Sequence, residues 1–288
     1  MGIFLSVLGV LAGYVLTGVF FALNERARRE QASPQAAADQ IRQDAAVVDP
    51  GIYDADYYLE RVADKDLDNL PVSLKRCFDM AAPSAEEKVL DVGSGTGQLA
   101  YYCVSKGCTA VAVDYSEAAC RLANGSRAAL PEPLREKMTV LKMDFRDLPE
   151  DVKYDVIFMA DLVEHLYDWQ LKALFEKMAR ILAPGTGRIV IHTAPNRYFI
   201  DIIFPLKRIL NWPAVIRKTG PKGSFFYTRN KYFYDPAMHV NEQTPGSLSR
   251  HLRGFNARIW CDDGSANVLS MLTKSFAGAD IWAVARSR

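Results

Sequence analysis

The chain has 288 residues, 49% of them apolar and 24% charged, a balance that excludes a disordered protein and fits one large α/β domain with additions. Its formal net charge is +1, so bulk charge makes no case for a nucleic-acid partner. The five cysteines (Cys77, Cys103, Cys108, Cys120, Cys261) form no Cys-x-x-Cys pair and no zinc spacing, and the odd count reads as small buried hydrophobes in a reducing compartment.

Gly2 to Leu23 is a run of 22 residues without a charge. As a helix it would be roughly 33 Å long, enough for a bilayer core. No Lys or Arg precedes the run, and Arg26, Arg28 and Arg29 follow it. A signal peptide has the opposite layout, with a basic start and a shorter apolar core. We therefore read residues 1–30 as a single-pass membrane anchor with a basic flank. By the positive-inside rule the rest of the chain is cytoplasmic. A signal peptide and a soluble docking helix are the alternatives.

Residues 31–52 are rich in Ala, Gln and Asp and lack an apolar period, which predicts a linker. Tyr53-Asp54-Ala55-Asp56-Tyr57-Tyr58-Leu59 breaks that composition. These aromatics read either as a lid over a site or as packing of a leading helix. Leu70 to Met80 is a predicted helix. Strand–helix alternation then begins. Strands are expected at Lys88–Val92, Thr109–Asp114, Met138–Met143, Tyr154–Ala160 and Arg188–Thr193. Helices are expected at Gly97–Lys106, from Ser116 to Leu130, and from Asp168 to Leu182, the last with Leu171, Leu174, Phe175, Met178 and Leu182 on one face. This alternation predicts a parallel, doubly wound sheet with its ligand beyond the strands' carboxyl ends. Asp91, Asp114, Asp144 and Asp161 all fall at those ends.

Val92-Gly93-Ser94-Gly95-Thr96-Gly97-Gln98 is a glycine turn between the first strand and its helix. The dinucleotide fingerprint Gly-x-Gly-x-x-Gly needs a glycine where Gln98 stands, and the Gly-Lys-Ser/Thr of a phosphate-binding loop is absent. Asp91-x-Gly93-x-Gly95-x-Gly97 resembles motif I of the class I S-adenosylmethionine-dependent methyltransferases. Asp114 lies 21 residues after Gly93, and Asp144-Phe145 follows strand three. The resemblance implies that Asp114, with Tyr115 beside it, takes the ribose hydroxyls. It implies that Asp144 and Phe145 hold the adenine. Gly93, Gly95 and Gly97 would leave room for the methionine end, with Asp91 and Asp161 as flanking carboxylates. The family fold adds two strands, for which Phe255–Cys261 and Asp280–Ala285 are suitable, giving a seven-stranded, mostly parallel sheet. The resemblance covers about Tyr53 to Arg288.

Asp161-Leu162-Val163-Glu164-His165 resembles the Glu-x-x-Glu-His segment of ubiquinone-type O-methyltransferases and of small-RNA 2′-O-methyltransferases. That likeness implies a candidate Mg²⁺ set of Asp161, Glu164, His165 and His239, the last from the His239–Thr244 segment. Two other readings stand beside it: Glu164 and His165 as catalytic or substrate-contacting groups, and a structural role. His192-Thr193-Ala194-Pro195-Asn196 closes strand five and resembles a substrate-mouth segment. His192 itself reads as a core histidine. The insertion 197–235 carries eight Lys or Arg against two Asp, among many aromatics. Apolar plus basic suits anionic lipid, and the mixture also fits a substrate cap or single-stranded nucleic acid. The anchor weighs against nucleic acid. The sequence thus reads as a membrane-anchored methyltransferase with an N-terminal transmembrane helix. Its expected acceptor is a hydrophobic small molecule or lipid, methylated on oxygen. A protein or soluble-metabolite acceptor, or a non-catalytic cofactor-binding scaffold, are the alternatives.

Overall fold

The computed structural model describes residues 47–54, 57–58, 66–204, 206, 238–262 and 278–288. The expected anchor at residues 2–23 and most of the 197–235 insertion lie outside the described residues. No helix among the described residues is long and apolar enough to cross a membrane. Val47–Arg288 forms one compact unit, beginning ahead of the Tyr53 boundary expected from sequence.

Its frame is a seven-stranded sheet: β1 (Lys88–Val92), β2 (Thr109–Asp114), β3 (Met138–Lys142), β4 (Val156–Ala160), β5 (Arg188–Thr193), β6 (Phe255–Asp262) and β7 (Asp280–Ser287). The order is β3-β2-β1-β4-β5-β7-β6. The first five strands run parallel, and β7 is antiparallel to both β5 and β6. Chain order reverses at β1, which pairs β2 on one side and β4 on the other. A crevice opens beyond the carboxyl ends at such a switch point.

Helices α1 (Val72–Ala81), α2 (Gln98–Ser105), α3 (Glu117–Ala128), the short α4 (Glu132–Arg135), α5 (Asp168–Ile181) and α6 (Pro245–His251) cover the sheet. Strand alternation divides the core in two. Leu90, Val92, Ile157, Met159, Ile189 and Ile191 pack with the apolar face of α5. Val89, Phe158, Val190 and Trp282 pack with residues of α1 and α2. All five cysteines are buried and free.

Element ends follow local chemistry. Ser116 caps α3, its hydroxyl accepting the Ala119 N–H at 3.2 Å. The Gln170 side chain accepts the Tyr167 N–H at 3.1 Å and fixes the start of α5. Three expectations shift slightly. Tyr154 makes an isolated bridge to Leu182 instead of extending β4. Pro131 and Pro133 end α3 early, and α4 restarts there because Pro fits a helix's first turn. The last strands run one and two residues longer than expected.

Candidate active site

The glycine turn is pinned to the end of β2: the Gly93 and Ser94 N–H groups both donate to the Val113 carbonyl, at 2.9 and 3.1 Å. Gly93 and Gly97 both have φ of 69°. A Cβ on Gly97 would stand 2.8 Å from the Ala123 Cβ, so this glycine serves the approach of α3 to the turn.

Asp114 links the two loops that flank the crevice. Its Oδ2 accepts the Gly95 N–H and its Oδ1 the Ser116 N–H, each at 2.9 Å. Burial pushes its carboxyl above the usual range, opposed by backbone donors from Ser116, Gly95 and Tyr115. Asp114 forms one wall of a cavity of about 200 Å³. Gly93, Tyr115, Asp144 and Phe145 also line it, with Leu162, His165 and Leu166 along the β4 side. Asp144 is held by Arg146, which donates Nε to Oδ1 at 2.9 Å and Nη2 to Oδ2 at 2.7 Å. Burial pushes the Asp144 carboxyl up, and the Arg146 bonds outweigh it and hold it low.

The other sequence-derived residues are placed differently. Asp91 does not line the cavity. Alternation turns it away from Leu90 and Val92 and under α2, where it is 3% exposed and accepts the Ala100 N–H. Burial, with Asp114 adding to it, pushes its carboxyl up to about 7. It partners the positive end of α2. Gly95, Gly97 and Asp161 also stand outside the cavity wall. Asp161 has φ of 53°, a left-handed conformation rare outside glycine, at the end of β4.

The expected metal set does not assemble. Among the described residues, which include all four candidates, no group of three or more His, Cys, Asp or Glu could hold a metal ion. Glu164 turns inward, 1% exposed, and accepts the Thr193 hydroxyl at 2.8 Å. Burial, with Asp161 adding to it, pushes its carboxyl up to about 8. Asp161 turns instead to His192, its Oδ1 2.7 Å from Nδ1. His165 and His239 pack edge to face, their centroids 4.7 Å apart. Glu164 is thus a buried support and does not touch the cavity, contrary to its expected catalytic role.

His165 does line the cavity. Its Nδ1 lies 3.1 Å from the Met238 carbonyl and 3.0 Å from the Tyr53 hydroxyl. A carbonyl only accepts, so a proton on Nδ1 satisfies that contact and makes Nε2 the basic nitrogen whenever the ring is neutral. The His239–Thr244 segment braces this loop: Asn241 donates its N–H to the Glu164 carbonyl at 3.0 Å and its Nδ2 to the Leu166 carbonyl at 3.0 Å. Asn196 is fully buried and donates to the Gly278 carbonyl at 2.9 Å, tying the end of β5 to the turn before β7. It braces these two elements.

The aromatic stretch ahead of the domain packs against two cavity-lining residues, Tyr115 and His165. Tyr53 packs edge to face on Tyr57, Tyr115 and His165, and its carbonyl accepts the Ser116 hydroxyl at 2.7 Å. Burial first, then neighbouring Tyr115, raises its phenol above the ordinary value. Val47 and Val48 line the cavity as well. Sequence reasoning missed this pair. Its one signal was two adjacent valines inside a stretch otherwise read as linker.

Residues 89–185 match the family model described as "Methyltransferase domain". That match spans about a third of the chain. The fold around it is that of the class I S-adenosylmethionine-dependent methyltransferases. A TehB-like SAM-dependent methyltransferase from Corynebacterium glutamicum is 14% identical, with 83% of this chain and 100% of that chain covered and a TM-score of 0.51. A glycopeptide N-methyltransferase crystallised with sinefungin is 13% identical, with 81% and 96% covered and a TM-score of 0.50. A methyltransferase from Haloferax volcanii, described as putative and solved with the Trm112 activator, is 14% identical, with 81% and 93% covered and a TM-score of 0.52. No curated protein matches the chain. Gly93, Asp114 and Asp144 line one cavity.

Proposed function

We propose that the chain transfers the methyl group of S-adenosylmethionine to a hydroxyl on a hydrophobic, membrane-resident acceptor such as a quinone precursor or lipid. The observation that carries the cofactor part is Asp114, a buried carboxylate held by two backbone N–H groups on the wall of a cavity that also bears Asp144 and Phe145. A carboxylate fixed in this way presents its remaining lone pairs to a diol. Phe145 and Met143 supply apolar contact for a base, and Asp144 an acceptor for an amino group. Bound S-adenosylmethionine supplies an activated methyl on a sulfonium. The protein's task is then to orient the acceptor and to receive its proton. His165, with its basic Nε2, is the cavity residue suited to take that proton. Tyr53 and the Met238 carbonyl fix its ring.

The acceptor class rests on sequence features: the uncharged run at residues 2–23 and the basic, aromatic insertion at 197–235. Calorimetry is expected to show S-adenosylmethionine binding that Asp114→Ala weakens about tenfold or more, the worth of a charge-assisted hydrogen-bond site. Unchanged affinity in that variant overturns the cofactor assignment. Membrane extract incubated with methyl-labelled S-adenosylmethionine is expected to carry label into the lipid-soluble fraction. Label recovered in protein, or in a water-soluble metabolite, overturns the acceptor class.

A further inference from the structure

His192 was expected to be an ordinary core histidine, but its surroundings do not satisfy it. It is 5% exposed, at the end of β5. Its Nδ1 stands 2.7 Å from Asp161 Oδ1, an ion-pair distance. Among the described residues, neither ring nitrogen has a hydrogen-bond partner besides this Asp161 contact. The ring lies on Trp282 at 4.1 Å between centroids, and Trp282 Nε1 is likewise buried without a hydrogen-bond partner among the described residues. A core position that needed only volume would carry an apolar side chain here.

Asp161 gives the complementary observation. Its side chain is half exposed, while its backbone is held at φ of 53°. The Asp161 N–H donates to the His192 carbonyl at 3.0 Å. Main chain and side chain of His192 therefore both grip the same residue. Strained non-glycine residues persist where the surroundings over-determine them, and they cluster at functional sites. Leu162, next in the chain, lines the cavity and lies against Gly93. The gripped carboxylate thus stands beside the mouth of the cavity at the switch between β1 and β4.

We propose that His192 is a positioning residue that holds the Asp161 carboxylate toward the cationic amino-acid and sulfonium end of the cofactor. The inference rests on the cofactor reading above. The chemistry required is a fixed negative charge near a ligand's positive end, and Asp161 is the half-exposed carboxylate at that strand end. Asp91 and Glu164 are buried, 3% and 1% exposed, and line no part of the cavity.

Two probes separate this role from general support. S-Adenosylmethionine carries the cationic end; 5′-methylthioadenosine shares its adenosine part and lacks the amino acid and the charge. In calorimetry with the full chain, His192→Phe is expected to weaken S-adenosylmethionine about tenfold and leave 5′-methylthioadenosine unchanged. His192→Asn keeps a nitrogen near the Nδ1 position and is expected to restore most of the affinity. Asp161→Asn, on a half-exposed side chain, is expected to repeat the selective loss, and adding His192→Phe to it to cause little more. Should His192→Phe fail to fold, Asp161→Asn and His192→Asn still decide. Equal weakening of both probes, or an unchanged ratio of the two affinities in Asp161→Asn, overturns the proposal. Wild-type protein that binds 5′-methylthioadenosine but not S-adenosylmethionine overturns it as well. Wild-type protein that binds neither overturns the cofactor reading and the proposal together.

Discussion

At the scale of single residues, the carboxylates at the strand ends divide by direction. Asp114 and Asp144 face the cavity, Asp91 faces α2, Glu164 faces Thr193 and Asp161 faces His192. Their spacing in the chain is shared with the methyltransferase pattern, but spacing carries no direction. Glu164 makes the difference measurable. Burial holds its carboxyl near 8 in the folded protein, against 4.5 as the ordinary value. Between those two pH values the unfolded chain has released a proton that the folded chain keeps. Stability from this group is therefore full below about pH 4.5 and is lost as pH rises toward 8. Asp91, pushed from 3.8 to about 7, acts in the same sense. Glu164→Gln cannot titrate, and its amide oxygen can still accept from Thr193. The melting temperature of this variant relative to wild type is expected to rise steadily from pH 5 to pH 8. A difference that stays flat across that range contradicts the buried, raised carboxyl.

At the scale of elements, the glycine turn has two jobs that the sequence presents as one. Gly93 faces the cavity and Leu162, whereas Gly97 sits at the start of α2 against Ala123 of α3. Its positive φ and the 2.8 Å approach leave no room for a methyl group. Gly97→Ala is expected to destabilise the fold by about 1–3 kcal/mol, through backbone strain and overpacking. Urea unfolding checks this, and a loss below about 0.5 kcal/mol, the scale of a neutral surface change, contradicts it. The strands and helices of the sheet were legible because burial on both faces writes continuous apolar runs and 3.6-residue periods. The braces were not. Arg188, at the start of β5, donates to the Ala82 carbonyl and to Glu87 on both oxygens, and Asn196 ties β5 to the β7 turn. These polar contacts span many residues and leave no periodic trace.

At the scale of the molecule, Val47–Arg288 is a compact unit that includes the aromatic residues packed against Tyr115 and His165. A chain beginning at residue 31 keeps that unit whole. It is expected to fold, to bind S-adenosylmethionine as the full chain does, and to move from the membrane to the soluble fraction on centrifugation. Continued sedimentation with membranes contradicts the anchor at residues 2–23. The sequence by itself determined the strand–helix alternation, the glycine turn and the pairing of that turn with Asp114 and Asp144, because period and spacing are local properties of the chain. Only the tertiary structure decided which of the acidic and histidine side chains meet. Glu164, His165 and Asp161 are neighbours in the chain, yet strand alternation and the turn after β4 send one into the core, one to the cavity and one to His192. A metal site needs convergent directions, and chain order carries no information about direction.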